Sequence, residues 1–300
     1  MKSIIVLGST KTDMVISGRK IPAPGETVSG GSFMMNPGGK GANQAVAAAR
    51  LGNGATRCLF IAKVGDDLFG RDTAARLSQD GIDARLLVDE KEASGTALIL
   101  VDEKGQNCIS VALGANGTLS AQEVRPILES ELGNAAALLM QLETPVDTVL
   151  AAAEMAHAAG VPVILNPAPA AELPDELYRT LEWITPNESE AELLTGIKVT
   201  DCESAAAAAA ELQKRGVRNV LITMGSRGCW SSQSGVLHPA LKVEAVDCVA
   251  AGDTFNGAFV VGLAEGMNTE DAVVFAQKAA AISVTRPGAQ ASVPYRSEIR

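Results

Sequence analysis

The sequence contains few of the residues on which metal centres and disulfide frameworks depend. It has only two histidines, His157 and His238, and five scattered cysteines with no Cys-x-x-Cys pair. This composition argues against a histidine-ligated metal centre, a zinc site and a disulfide framework. It favours reduced thiols, and we therefore expect a cytoplasmic protein.

Basic residues are in the minority, and long apolar runs are missing. The formal net charge is −10, whereas a nucleic-acid-binding face needs an excess of Lys and Arg, so we expect no nucleic-acid partner. The apolar run near the N-terminus, residues 4–7, is too short for a signal peptide and predicts a first buried strand. No stretch approaches the ~18 apolar residues of a membrane span, so no membrane segment is expected.

Short apolar runs alternate with helical patterns along most of the chain. Hydrophobic residues make up 47% of the 300 residues, which is enough for one compact α/β domain over residues 1–300. Strands are predicted at residues 4–7, 58–64, 136–140, 161–165, 183–185 and 220–223. Helices are predicted at residues 41–51, 69–79, 146–159, 188–195 and 204–215. Wholly apolar strands separated by helices indicate a doubly wound, mainly parallel central sheet flanked by helices.

The most informative segment covers residues 246–258. An apolar run ends there, small residues follow, and a helical pattern begins with Asp253 in its first turn. Backbone N–H groups at a helix start form an anion site, and Ala250, Ala251 and Gly252 let a phosphate approach closely. A kinase needs a carboxylate beside such amides, because the amides stabilise the transferring phosphoryl group and the carboxylate accepts the hydroxyl proton. Taken alone, Asp253 is also explained by its favourable interaction with the helix dipole.

Several motifs, in the same order along the chain, resemble those of the ribokinase-like (PfkB) sugar kinases. Residues 251–257 resemble the C-terminal signature of that family, and residues 37–47 resemble its N-terminal signature. Four shorter segments between them also match, at residues 140–143, 165–169, 185–188 and 223–228. The similarity covers residues 4–294. It implies an ATP-dependent sugar kinase that phosphorylates the 5-hydroxyl of D-ribose, with Asp253 as general base and an anion hole formed by residues 250–253.

The resemblance also implies a sugar site built from the glycine-rich segment and from acids that follow strands. Asparagine and carboxylate groups suit a polyol, which offers paired donors and acceptors. The implied sugar contacts are Lys11, Thr12, Asp13, Gly39, Lys40, Gly41, Ala42, Asn43, Glu143 and Asp253.

Lys11 departs from the family pattern, because ribokinases usually have a sugar-binding asparagine at this position. A long cation differs from a short amide in both size and hydrogen bonding. Either Lys11 points away and ribose still binds, or the substrate carries an acidic group or differs in shape.

Nucleotide and ion sites are implied in the same way. The implied ATP contacts are Asn187, Thr223, Met224, Gly225, Ser226, Arg227, Gly228, Gly252, Asp253 and Gln277. A monovalent cation such as K⁺ is implied at Asp247, Val249, Ser283, Arg286, Gly288 and Ser292, mostly through backbone carbonyl groups. Mg²⁺ is expected on chemical grounds, because it bridges ATP phosphate oxygens and offsets their charge.

Two segments, residues 15–37 and 95–112, lack the strand–helix alternation and predict a small antiparallel sheet. The resemblance implies that this sheet is a lid over the sugar, with Gly38 and Gly39 as a hinge. Residues 97–101 are apolar at consecutive positions, so both faces of the sheet need covering. One face could cover the substrate and the other a partner lid, which favours a homodimer.

Alternative functions follow from the same residues. Lys11 leaves open a kinase for another sugar or a sugar acid, and a catalytically silent sugar-binding protein could use the same fold. A dehydrogenase is disfavoured because the segment after the first strand lacks the G-x-G-x-x-G fingerprint. Residues 38–41 also lack the spacing of a Walker A loop.

Overall fold

The computed structural model of the protein describes residues 1–299. The strands in this part of the chain are β1 (Lys2–Leu7), β2 (Lys11–Ser17), β3 (Ser32–Gly38), β4 (Thr56–Gly65), β5 (Asp83–Asp89), β6 (Gly95–Val101), β7 (Asn107–Ala112), β8 (Ala135–Met140), β9 (Val163–Leu165), β10 (Trp183–Ile184), β11 (Asn219–Thr223), β12 (Cys229–Ser231) and β13 (Val236–His238). The helices are α1 (Lys40–Leu51), α2 (Leu68–Gln79), α3 (Ala121–Glu131), α4 (Val146–Ala158), α5 (Asp175–Thr180), α6 (Glu188–Thr195), α7 (Cys202–Lys214), α8 (Ala251–Ala264) and α9 (Thr269–Ser283). Among these helices, none is both long and apolar enough to cross a membrane.

The central sheet has nine strands in the order β13-β12-β11-β10-β9-β8-β1-β4-β5. Its strands are parallel from β11 to β5, and β12 and β13 add an antiparallel edge. One apolar cluster packs α3 to α7 on one face, and a second packs α1, α2, α8 and α9 on the other. Coverage of both faces explains why β1 is apolar at every position from Ile4 to Leu7. The predicted fold class is confirmed.

A second, smaller sheet has the order β3-β2-β6-β7. Its two outer pairs are antiparallel, whereas the central pair, β2 and β6, is parallel. The chain leaves the small sheet after β3 and returns at β6 only after passing through the central sheet, and such a long connection permits parallel pairing. The turn between β6 and β7 contains Asp102 and Gly105, and the Gly105 N–H donates to the Asp102 carbonyl.

Helices α1 and α8 pack unusually closely, and this contact positions the site. A Cβ atom at Gly257 would lie 2.5 Å from the Cβ atom of Ala47 and 2.7 Å from the carbonyl oxygen of Gln44. Only glycine permits this approach, because any side chain would push the helices apart. The first turn of α1 is therefore held beside the first turn of α8.

Candidate active site

Polar side chains gather beyond the carboxyl ends of β1 and β8, where active sites of open α/β sheets lie. Glu143 follows β8 and is buried. Its carboxylate accepts hydrogen bonds from the Ser9 hydroxyl at 2.5 Å and from the Lys40 backbone N–H at 2.9 Å. Lys11 Nζ lies 2.6 Å from Glu143 Oε1 and is the third donor to this carboxylate. Burial opposes ionisation of Glu143, yet Lys11 and these donors hold its pKa below the usual value.

Lys11 therefore does not point away from the predicted site. Its backbone lies between Gly38 on β3 and Gly95 on β6, so no neighbouring side chain on either strand covers it. Its charge is matched by Glu143 rather than left available for a ligand. The alternative in which Lys11 points away from the sugar site does not match this orientation.

Asp13 faces the same space as Lys11, because the two residues are two positions apart on β2. Burial raises the pKa of Asp13, although nearby Lys11 acts in the opposite direction and Glu143 reinforces the rise. Thr12, which was predicted as a sugar contact, lies between them and is buried on the opposite face of the strand.

The glycine-rich segment forms a tight entry into α1. Gly39 has φ +92°, and a Cβ atom there would lie 2.7 Å from the Thr10 Cα atom. Gly41 packs against the backbone of Ser9 in the same way. The side chain of Ala42 belongs to the apolar core, so it could contact a ligand only through its backbone. These small residues bring the start of α1 against the turn after β1.

Asp253 lies in the first turn of α8 and is 6% exposed. Asn43 Nδ2 donates to one of its carboxylate oxygens and Gln44 Nε2 to the other, each at 2.9 Å. Burial raises the pKa of Asp253, while Lys40 and the two amides act against that rise. A buried carboxylate with a raised pKa in a cleft is suited to proton transfer.

The start of α8 has an unusual backbone. Ala250 is left-handed, with φ 60° and ψ 12°, and provides no side-chain cap. Thr254 N–H closes the first turn onto the Ala250 carbonyl, and Ala251 N–H donates to the Cys248 carbonyl at 3.3 Å. The amides of Gly252 and Asp253 lie in the first turn, where a helix offers no internal acceptor. These amides can receive an anion.

A cleft of about 980 Å³ opens in front of this helix start. It is lined by most of the predicted nucleotide contacts: Asn187, Thr223, Gly225, Ser226, Gly228, Gly252, Asp253 and Gln277. Two further predicted contacts do not line it. Met224 is buried in the core, and the Arg227 side chain pairs with Glu188 and the Thr200 carbonyl.

Glu190 is a site residue that the sequence reasoning missed. It lines the cleft and belongs to a capping box in which Asn187 is the N-cap residue of α6. Burial raises the pKa of Glu190; the Asn187 N–H and Lys40 oppose this rise, and Asp253 adds to it. The N-x-x-E spacing of a capping box was the signal that could have found it.

The predicted cation-site residues are only partly brought together. The Asp247 carboxylate accepts from the backbone N–H groups of Val249 and Gly288, each at 2.9 Å. Ser283 and Ser292 are buried, and their hydroxyls donate to nearby carbonyl groups. Arg286 instead forms an ion pair with Glu298, so its side chain is engaged elsewhere.

Four buried polar side chains were not assigned roles from the sequence. Ser9 supports Glu143, and Gln44 supports Asp253. Gln141 and Asn166 bind the side chain of Gln44. An amide at position 44 stands out within the alanine-rich first turns of α1, and that contrast was the available signal.

The chain is similar along nearly its whole length to known carbohydrate kinases. The family model described as pfkB family carbohydrate kinase matches residues 1–296. A ribokinase of Haemophilus influenzae is 45% identical, and the alignment covers 99% of this chain and 97% of that protein. A deoxyribokinase of Salmonella typhi is 38% identical, with 97% of this chain and 95% of that protein covered. The structure of Arabidopsis thaliana ribokinase complexed with ribose and ATP superposes with a TM-score of 0.90 at 31% identity, covering 99% of this chain and 97% of that one.

Proposed function

Because the chain belongs to the pfkB family of carbohydrate kinases, we propose that it transfers the γ-phosphoryl group of ATP to the 5-hydroxyl of D-ribose. The products are D-ribose 5-phosphate and ADP. The similar proteins named ribokinase support this choice of substrate.

One observation carries the proposal: Asp253 lies where three features meet. Its carboxylate is held by Asn43 on the sugar side and lines the nucleotide cleft. It also belongs to the first turn of α8, whose start has no side-chain cap. A sugar hydroxyl beside Asp253 would therefore face the γ-phosphate of a nucleotide in the cleft.

Asp253, the backbone amides at the start of α8 and Lys40 would each have a separate role in the reaction. As the sugar oxygen bonds to the γ-phosphorus and the bond to the ADP oxygen breaks, Asp253 accepts the hydroxyl proton. The amides of Gly252 and Asp253, with the helix dipole, stabilise the charge on the phosphoryl oxygens. Lys40 lines the cleft and adds a positive charge near Asp253.

The charges in the sugar site favour a neutral substrate. Lys11 is neutralised by Glu143, and Asp13 lies beside the pair. An acidic sugar would add a further negative charge near Asp13, Glu143 and Asp253, which argues against the sugar-acid alternative. Asn43 Oδ1 is buried without a hydrogen-bond partner among residues 1–299, and a sugar hydroxyl would satisfy it.

Deoxyribose is the second candidate substrate. Lys11 stands where the family pattern has an asparagine, and it reaches into the sugar site. Since an ammonium donates hydrogen bonds but accepts none, Lys11 cannot recognise a hydroxyl in the way an amide does. The 38% identity to a protein named deoxyribokinase supports deoxyribose as this second candidate.

The residues fit the proposed ions to different degrees. Among residues 1–299, no three His, Cys, Asp or Glu side chains form a metal-binding group. Mg²⁺ held mainly by nucleotide phosphates needs only one or two carboxylates, and Glu190 lines the cleft. When bound, Mg²⁺ would offset the phosphate charge. Asp247 and carbonyl groups near Gly288 would hold the monovalent cation, for which we propose K⁺.

We also propose that the small sheet is the lid and the homodimer interface. Lys11 and Asp13 lie on its inner face. The outer face carries Ile16, Phe33, Met35 and Leu98, which are 46 to 60% exposed. Strand register makes these side chains contiguous, because Phe33 lies opposite Ile16, while Met35 and Leu98 both lie opposite Met14. A contiguous exposed apolar face fits the same face of a second copy.

The proposal is tested by ADP release with MgATP and, in parallel, D-ribose, deoxyribose and an aldonic acid. Preferential turnover of ribose with ribose 5-phosphate as product is expected. Preference for deoxyribose would establish the second candidate instead, and turnover of the acid alone would contradict the charge argument. A protein that binds ribose but releases no ADP with any sugar would be a sugar-binding protein of this fold.

A further inference from the structure

Resting on the proposed function, we infer that Gln44 is a positioning residue that fixes the orientation of the catalytic carboxylate of Asp253 and favours its ionised form. Gln44 is fully buried and lies on α1, directly after the candidate sugar ligand Asn43. Its Nε2 atom lies 2.9 Å from Asp253 Oδ1. The pair joins α1 to α8 across 209 residues of sequence.

The orientation of the Gln44 amide is determined from both ends. Its NH₂ group faces two acceptors, Asp253 Oδ1 and Asn166 Oδ1, the latter at 3.0 Å. Its oxygen accepts from Gln141 Nε2 at 2.6 Å. Asn166 is fixed in turn, because its own NH₂ group donates to the Thr185 carbonyl. Rotating the Gln44 amide by half a turn would place its oxygen against two acceptors, so only one orientation is stable.

This chain of amides leaves the two oxygens of Asp253 in different situations. Gln44 occupies Oδ1 from within the protein core. Asn43, which is predicted to contact the sugar, occupies Oδ2. A sugar bound by Asn43 would lie on the Oδ2 side, so Oδ2 would accept the hydroxyl proton while Gln44 holds Oδ1 and restrains rotation of the carboxylate.

Charged groups on three other parts of the fold also act on Asp253. Lys40 on α1 favours its ionised form, whereas Glu143 after β8 and Glu190 on α6 disfavour it. Burial favours the neutral form of Asp253, and the two amide donors oppose that effect. Loss of the Gln44 donor should therefore move the acid limb of the kcat–pH profile to higher pH.

The test compares kcat–pH profiles with MgATP and ribose for wild type and two variants. Gln44→Met removes the donor but keeps the volume, so the acid limb should move upward by about one pH unit. Gln44→Glu places a like charge beside Asp253 and should move the limb further. The KM for ribose should change little, because Asn43 still contacts the sugar.

A matched control separates positioning from stability. Thr180→Val removes a buried hydrogen bond to the Leu177 carbonyl on α5, away from the site. It should lower the melting temperature and leave the acid limb in place. If Gln44→Met does not fold, Gln141→Met removes only the donor to the Gln44 oxygen, and it should move the limb in the same direction by less.

An acid limb unmoved in every folded variant at Gln44 and Gln141 would overturn the inference while leaving the kinase activity established. Wild-type protein that releases no ADP with any sugar would instead contradict the proposed function on which the inference rests. The two failures are therefore distinguishable.

Discussion

Lys11 and Glu143 form a buried ion pair, with Nζ 2.6 Å from Oε1 and side chains only 11% and 9% exposed. Breaking such a pair from one side leaves a buried charge uncompensated. Lys11→Met should therefore lower the free energy of unfolding at neutral pH by about 3 kcal/mol. Urea denaturation measures the change, and the double variant Lys11→Met/Glu143→Gln should recover most of it.

The pH dependence of that loss follows from the direction of the pKa shift. In the wild type, the pKa of Glu143 is lower in the folded state than in the unfolded state. Its contribution to stability is therefore present above the unfolded pKa and is lost as pH falls through the folded pKa. The difference between wild type and Lys11→Met should shrink over that acidic range. Equal stability of the two proteins at neutral pH would contradict the role of the pair.

Close packing of α1 on α8 is required to bring Asn43 and Gln44 to Asp253. Gly257→Ala would place a methyl group 2.5 Å from Ala47, so we expect a loss of about 1–3 kcal/mol in stability together with reduced kcat. Gly133→Ala is the matched control, because a Cβ atom there meets nothing within 4 Å, and its stability should change by less than about 0.5 kcal/mol. Equal effects of the two substitutions would show that the contact is not tight.

The sequence predicted the central elements well because their signals are local. The apolar run at residues 4–7 lies within β1, and α6 has the predicted bounds. The parallel pairing of β2 with β6 could not be predicted, because it depends on the path of the chain through the central sheet. The edge strands β12 and β13 are only three residues long and lack a distinct pattern.

Sequence motifs predicted which residues belong to the candidate site, but the contacts between those residues became visible only in the folded structure. Asp253 was predicted as a base from its place at a helix start together with the family motifs, and that role stays a prediction. Its partner Gln44 is far away in sequence, so no local pattern could pair them. The orientation of Lys11 likewise required the positions of β2 and Glu143 together.

The outer face of the small sheet should hold two copies of the chain together. Phe33→Asp with Leu98→Asp places charges in this apolar face, so we expect the protein to sediment as a monomer where wild type sediments as a dimer. Val236→Asp changes another exposed apolar side chain, on β13, and should leave the dimer intact. A wild-type monomer at all concentrations would contradict the homodimer.

Asp247 should determine the response to K⁺. In Asp247→Asn the carboxylate that accepts from Val249 and Gly288 loses its charge, so the variant should bind the cation weakly. Replacing Na⁺ with K⁺ should raise both the melting temperature and the turnover of wild type. In the variant, neither quantity should change. The exposed Asp102→Asn should behave like wild type. A K⁺ response retained in Asp247→Asn would place the cation elsewhere.

Turnover of Asp253→Asn with ribose and MgATP tests the central claim most directly. The substitution removes the proton acceptor but keeps the size of the side chain, so kcat should fall by ~10²–10⁴. Ribose binding, measured by calorimetry, should change far less, since Lys11, Asp13, Asn43 and Glu143 are unaltered. Unchanged kcat in this variant would contradict the assignment of Asp253 as the general base.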